Sequence, residues 1–261
     1  MSAGFMALRS LCGRELTRFS RQPARIVASI GTPAIIWVVL ASGLGGSFML
    51  RAMGGEGAGV NATSYGAYLV AGMAAMSAVF TSIFAAMSLI EDRAEGFLQA
   101  VLVSPAPSWA MVGAKVFSAA LVASVQSGVI ILASPLAGVS LDVASVMVAL
   151  AGVAMMALGI TGLGLALAWK VNSTSGFHGV MNLVLMPMLL LSGAFFPLSG
   201  ASSIMAVLMK INPLTWPSEL IRTALLNGAG STTVWQWGGS AAFAVLGAGL
   251  GLVVMGRGRG E

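Results

Sequence analysis

Six apolar runs of about twenty residues each constrain this 261-residue chain more than any motif it contains. They cover residues 26–48, 66–90, 110–133, 143–169, 179–197 and 234–255. Apolar stretches of roughly 18 or more residues match the hydrocarbon thickness of a bilayer. In lipid each backbone N–H and C=O needs an internal partner, which leaves helices or closed barrels as the spanning structures. Runs of this length predict an all-α integral membrane protein with six transmembrane helices, 1–261 forming one transmembrane domain. Charged residues make up only 8% of the chain, against roughly 25% in soluble domains, so lipid replaces water as the main solvent.

The segment between the last two runs, 198–227, is too apolar for a plain loop and too broken for a span. It holds Lys210, Pro213, Pro217, Glu219 and Arg222. Two short helices entering the membrane partway are expected, since irregular backbone at that depth survives only against protein or a water-filled cavity.

Lys and Arg set the orientation, because the cytoplasmic flanks of short-looped membrane proteins are enriched in them. With the N-terminus inside, ten fall on the cytoplasmic side: Arg9, Arg14, Arg18, Arg21, Arg25, Arg93, Lys115, Lys170, Arg257 and Arg259. Arg51, Lys210 and Arg222 fall outside. The expectation is an N-in, C-in protein. The five N-terminal arginines and the long first run exceed the dimensions of a cleavable signal, so the first run reads as a retained span.

The first 22 residues form a second pattern. At helical spacing Phe5, Leu8, Cys12, Leu16 and Phe19 share one face, while Arg14, Arg18 and Arg21 share the other. An interfacial helix follows, its apolar side in the cytoplasmic headgroup boundary and its arginines toward anionic lipid. Pro23 ends it. Small-residue clusters, GITGLG at 159–164 and GAGLG at 247–251, permit close helix packing in lipid.

Several chemistries are poorly supported. No lysine directly follows a glycine, so no GxxxxGK[ST] phosphate loop exists and the chain alone should not hydrolyse ATP. The single histidine, His178, and scattered carboxylates give no metal-ligand pattern; an interfacial hydrogen-bonding role suits His178 better. A lone cysteine, Cys12, excludes an intrachain disulfide. The net charge of +5 lies at membrane flanks without a nucleic-acid recognition motif, so no nucleic-acid partner is expected. Apart from Lys115 the predicted spans lack Asp, Glu, Lys and Arg, which argues against ion-coupled transport. The Asn-x-Ser/Thr matches at 61–63 and 172–174 are short enough to arise by chance.

The break between the second and third runs is unusual: four of the five residues from Glu91 to Glu95 are ionisable. A short helix of about two turns is expected over 96–103, stopped at Ser104 because a residue before proline, here Pro105, disfavours helical angles. The stretch EDRAEGFLQAVLVSPAPSWAMVGAKV resembles the cytoplasmic signature of type 2 ABC transporter permeases, with its Glu-Gly start, short helix, Ser-Pro turn and Gly-x-Lys. LSGAFFPLSG and INPLTWPSELIRTALL are similar to the same family's fifth-span exit and extracellular half-helices. One departure is Phe97, where family members more often have threonine.

The resemblance implies the permease subunit of an ATP-driven exporter in a bacterial-type cytoplasmic (inner) membrane. It implies a separate ABC ATPase subunit carrying ATP and Mg, with no cofactor or metal in this chain. It also implies a second copy or a homologous permease completing the pathway, and an amphipathic, lipid-like or drug-like substrate moving outward. In that scheme 91–109 is the coupling segment, with Glu91, Arg93, Glu95, Gly96, Phe97, Leu98, Val101, Ser104 and Pro105 as its working residues. Glu91, Asp92, Arg93 and Glu95 are expected in water at the bilayer exit, and Phe97, Leu98, Val101 and Leu102 in a groove of the ATPase. Outside, Pro197, Asn212, Pro213, Glu219 and Arg222 form a gate, with Glu219 and Arg222 pairing at i, i+3. The competing classes are a non-transporting assembly subunit and an intramembrane hydrolase, although no nucleophile motif such as GxSxG supports the latter.

Overall fold

A computed structural model describes residues 3–53, 65–104, 106–196 and 202–257, with side chains omitted at 3, 44–53, 102 and 257. All ten longer elements are α-helices: α1 (Ala3–Ser20), α2 (Pro23–Met53), α3 (Tyr65–Ala94), α4 (Phe97–Val103), α5 (Ser108–Leu132), α6 (Val143–Lys170), α7 (Thr174–Leu190), α8 (Ser203–Ile211), α9 (Thr215–Asn227) and α10 (Val234–Arg257). Among the described residues, five stretches are long and apolar enough to cross a membrane: Pro23–Gly43, Tyr65–Ala94, Ser108–Leu132, Val143–Lys170 and Val234–Gly256.

The expected fifth span is shifted and shortened. Ser173 starts α7 early by accepting from the Gly176 N–H at 3.1 Å, an N-cap bond. The helix stops at Leu190, and 191–196 turns away through Gly193 at φ +77°. Its 17 residues span about 26 Å at 1.5 Å per residue, slightly less than a ~30 Å hydrocarbon core. Pro197 lies outside the described residues.

The bundle is organised around α3. Almost every residue from Tyr65 to Val79 is buried, because α2, α5, α6, α7 and α9 all pack on this helix. A helix surrounded on all sides has no use for a polar face, which explains its continuous apolar run. α6 is the second organiser, and its glycines let different neighbours approach. A Cβ at Gly152 would meet Ile221 of α9, and one at Gly164 would meet Ala86 of α3. At Gly162 it would fall on the backbone of Gly247 in α10. The two small-residue clusters are thus the two halves of one α6–α10 interface, where packing rather than hydrophobicity drives association.

Local signals place the shorter elements. α8 and α9 are the two short helices expected after the fifth run, separated by an Asn-Pro-Leu turn in which the Thr215 N–H reaches the Asn212 carbonyl at 3.1 Å. One end of the bundle carries α1, α4, the start of α5 and the junction of α6 with α7. The other carries the end of α7, the α8–α9 hairpin and the start of α3.

Candidate functional site

α4 owes its limits to two residues singled out in the sequence. Gly96 takes φ +76°, a left-handed conformation open to glycine at little cost, so the chain reverses there and starts a new helix. Ser104 is extended at ψ 158°, and its hydroxyl donates to the Val101 carbonyl at 2.7 Å. Pro105 lies outside the described residues.

The face of α4 that packs inward is not the one expected. Leu98 and Val101 are buried in the chain's own core, and Phe97 lies beneath the Arg14 guanidinium, 3.5 Å from its ring centroid. These three are therefore unavailable to fill a partner's groove, and the side chain of Leu102 is not described. Gln99, Ala100 and Val103 face outward instead, with Val103 87% exposed. The reversal has a physical cause. α4 returns against α3 and α1, so the apolar stripe of a two-turn helix is consumed by the protein's own contacts.

The charges beside α4 are not a solvated loop either. Asp92 is 1% exposed and takes three cations, Arg14 at 2.8 Å, Arg18 at 2.5 Å and Lys115 at 2.6 Å. Lys115, 4% exposed, also donates to Glu15 at 3.0 Å and to the Ser88 hydroxyl at 2.7 Å. Glu91 pairs with Arg18 at 2.9 Å and with Arg25. Only Glu95 keeps the exposure expected of it, holding a long 3.5 Å contact to Arg18. α1, α2, α3 and α5 are joined here through ion pairs centred on the buried Asp92 and Lys115, with Arg14, Arg25 and Glu91 half-buried at the rim. Burial disfavours the charge on Arg18, yet Asp92, Glu91, Glu95 and Glu15 hold its pKa above the ordinary arginine value.

The interfacial helix is corrected by the same geometry. Arg14 and Arg18 meet carboxylates of α3 rather than anionic lipid, and Arg21 alone of the three is exposed. The Leu8 and Cys12 side of α1 rests on α5: Leu8 lies against Gly113, and the Ser118 hydroxyl donates to the Cys12 carbonyl at 3.4 Å. Arg93 turns the other way. It donates to the Trp169 carbonyl at 2.9 Å, the Val171 carbonyl at 3.3 Å and the Asn172 side chain at 3.0 Å. A cation there satisfies the free carbonyls at the negative end of α6.

At the opposite end the predicted gate residues separate. The Asn212 side chain donates to the Met188 carbonyl at 2.5 Å and accepts from the Leu214 N–H at 3.1 Å, fixing the hairpin turn with Pro213 inside it. Arg222 does not form the i, i+3 pair with Glu219. Its guanidinium donates to the Gly193 carbonyl and lies 4.4 Å from the Tyr68 ring centroid. The Tyr68 hydroxyl donates to the same carbonyl at 2.5 Å, and the Tyr65 hydroxyl reaches the Phe195 carbonyl at 3.3 Å. These partners draw Arg222 toward α7 and away from its own helix surface.

The sequence reading missed Asp92, Lys115, Glu15 and Arg25 as one network, and Tyr65 and Tyr68 as outer-end donors. Lys115 as the one charge inside a predicted span, and the chain's only two tyrosines one turn apart at a span entrance, were the available signals. His178 sits against the Phe84 ring with centroids 6.1 Å apart. Among the described residues no group of three His, Cys, Asp or Glu could hold a metal. The side chains of Arg51 and Arg257, the 61–63 match and Arg259 lie outside the described residues.

Residues 6–226 match the ABC-2 type transporter family over most of the chain. The chain belongs to that family. Several proteins are similar to it. It is 28% identical to the inner membrane transport permease YhhJ of Escherichia coli K12 over 150 residues, 57% of this chain and 40% of that protein. It is 30% identical to nodulation protein J of Neorhizobium galegae over 209 residues, 78% of this chain and 75% of that protein. It is 27% identical to the putative transport permease ycf38 of Cyanophora paradoxa over 217 residues, 81% and 71% respectively. The match thus spans less than half of YhhJ and about three quarters of the other two. Family and helices together make this chain a multi-pass membrane protein of the ABC-2 type transporter family.

Proposed function

We propose that the chain is the membrane half of an ATP-driven exporter, N-in and C-in in a bacterial-type cytoplasmic membrane, carrying an amphipathic, lipid-like or drug-like substrate outward. A separate ABC ATPase binds ATP and Mg, and a second copy or a homologous permease completes the pathway. The observation that carries this reading is the junction at α4. A short helix presents Gln99, Ala100 and Val103 outward while its other face packs on α3 and lies beneath Arg14 of α1. Such a projection converts a push on α4 into movement of the bundle, because the buried ion pairs beneath it leave little slack. Asn212, Pro213 and Arg222 lie at the opposite end and act in release of the substrate.

The test is Val103→Asp. A change at so exposed a position should alter stability by no more than about 0.5 kcal/mol, whereas a charge in a desolvated interface anchor costs 2 kcal/mol or more of binding, roughly thirtyfold. The variant should insert normally and lose its co-purifying ATPase and vanadate-sensitive hydrolysis. An ATPase retained at wild-type stoichiometry would remove α4 from the interface. A chain that carries no ATPase at all would favour an assembly subunit.

A further inference from the structure

The C-terminal end of α7 is held in an unusual way. Four side chains, two from α3, one from α9 and one from the α8–α9 turn, all donate to its departing backbone. Asn212 takes the Met188 carbonyl, Tyr68 and Arg222 share the Gly193 carbonyl, and Tyr65 takes the Phe195 carbonyl. The segment they grip is irregular yet buried from Ser192 to Phe195, with Ser192 and Ala194 at 0% exposure. Gly72 of α3 makes the approach possible, since a Cβ there would fall on the Ala194 carbonyl.

Elsewhere α7 is lightly held. Its buried side chains are Phe177, Met181, Leu185 and Leu189, one stripe at i+4 spacing, while Leu183, Val184 and Leu190 are exposed. A helix packed along a single stripe belongs to the low-stability part of a fold, and its position depends on what grips its ends. A carbonyl oxygen has two lone pairs, and at Gly193 both are taken, one by α3 and one by α9. Moving α7 away from the bundle breaks both bonds in one step.

Arg222 makes that step reversible. Its Nε is buried without a hydrogen-bond partner, and among the described residues it forms no ion pair with a carboxylate. The guanidinium therefore sits in a site that incompletely replaces its hydration, a cost that access of water removes. On opening, rehydration of this cation would offset part of the loss of the two hydrogen bonds.

We propose that Tyr65, Tyr68, Asn212 and Arg222 form a clasp on the end of α7, and that release of the Gly193 carbonyl by Tyr68 and Arg222 together is the step that opens this end of the permease. Tyr68 and Arg222 are its positioning residues, and Glu219 has no part in it. The inference rests on the exporter reading only for which face of the membrane this end occupies.

The test is thiol accessibility in cells carrying the full chain with Cys12→Ser, its partners present. Ser192→Cys reports the gripped segment, Val103→Cys reports the α4 end, and Thr161→Cys reports a buried site away from both. A membrane-impermeant maleimide is applied to each side in turn, using intact cells and inverted vesicles. With the clasp intact, Ser192→Cys should react slowly. Tyr68→Phe, which keeps the ring and deletes one donor, should speed it about fivefold to tenfold, the shift that one net hydrogen bond supplies. Arg222→Gln should do the same or more, and Glu219→Gln nothing. Thr161→Cys should stay protected throughout. Equal Ser192→Cys rates, within twofold, in wild type, Tyr68→Phe and Arg222→Gln would overturn the clasp, as would parallel labelling of Thr161→Cys, which signals general loosening. Val103→Cys labelled from outside would reverse the membrane orientation, while the Ser192→Cys comparison read from the other face would still decide the clasp.

Discussion

Replacing Asp92 by Asn tests whether the charges beside α4 are structural. The carboxylate is 1% exposed and shared by three cations, so its removal strands positive charge in a shielded site. Breaking a buried pair by deleting one partner costs about 3–5 kcal/mol. Here the stranded cations keep other acceptors: Lys115 and Arg14 retain Glu15, and Arg18 retains Glu91. That places the loss near the lower bound, about 3 kcal/mol. Lys115→Met removes the opposite partner at similar volume, and the Asp92→Asn, Lys115→Met double variant should be more stable than the sum of the two single losses by at least about 1 kcal/mol, the coupling expected of touching groups. The assay is unfolding of the purified protein in detergent, by heat or by graded SDS, across the full double-mutant cycle. Raising the salt should leave the cycle unchanged, because shielded pairs are weakly screened; only the contact of exposed Glu95 should weaken, and that pair contributes no more than about 1 kcal/mol. An Asp92→Asn loss below about 1 kcal/mol, or strict additivity, would refute the network and return these residues to a solvated loop.

Two further outcomes follow from other parts of the bundle. Gly162→Leu should lower the thermal midpoint in detergent sharply, by overpacking worth about 1–3 kcal/mol or more, since its Cβ lands on backbone of α10 that cannot yield; Gly179→Ala, where no atom lies within 4 Å, should move the midpoint little. Asp142 caps α6 by accepting from the Ser145 N–H at 2.9 Å and from the Ser145 hydroxyl, and these bonds lower its pKa below the ordinary aspartate value. A depressed carboxylate pKa contributes stability above the unfolded-state value and loses it as pH falls through the folded one. The difference in thermal midpoint between wild type and Asp142→Ala should therefore be constant near neutrality and shrink below about pH 4.

Much of the architecture was readable from local signals. The short helix expected over 96–103 runs Phe97–Val103, its stop at Ser104 legible because a residue before proline depends only on its neighbour, while the left-handed turn at Gly96 was not foreseen. The Asn212–Pro213 turn between two short helices was readable for the same reason. The small-residue clusters at 159–164 and 247–251 marked close packing, though nothing in either said that the other was its partner. The fifth run was misplaced because its apolar composition continues through 191–196, and whether such residues coil or turn was settled by Gly193 and by the donors waiting at Tyr68 and Arg222.

The functional residues divide along a similar line. Their positions were found, but several of their contacts were not. Leu98 and Val101 look like an exposed anchor when α4 is read alone and become core once α1 and α3 close over them. Arg14 and Arg18 look like lipid-facing charges on an isolated amphipathic helix, yet their α3 carboxylates lie 73 to 78 residues further on. Hydrophobicity and helix boundaries are set by a residue's own chemistry and its near neighbours, so the sequence by itself determined that this is a helical membrane protein with a short helix after its second span. Ion pairs, shared carbonyls and glycine contacts exist only where helix ends meet across the bundle. Only the tertiary structure could decide that Asp92 is a buried hub, that Val103 is the outward face of α4, and that Arg222 grips α7 instead of Glu219.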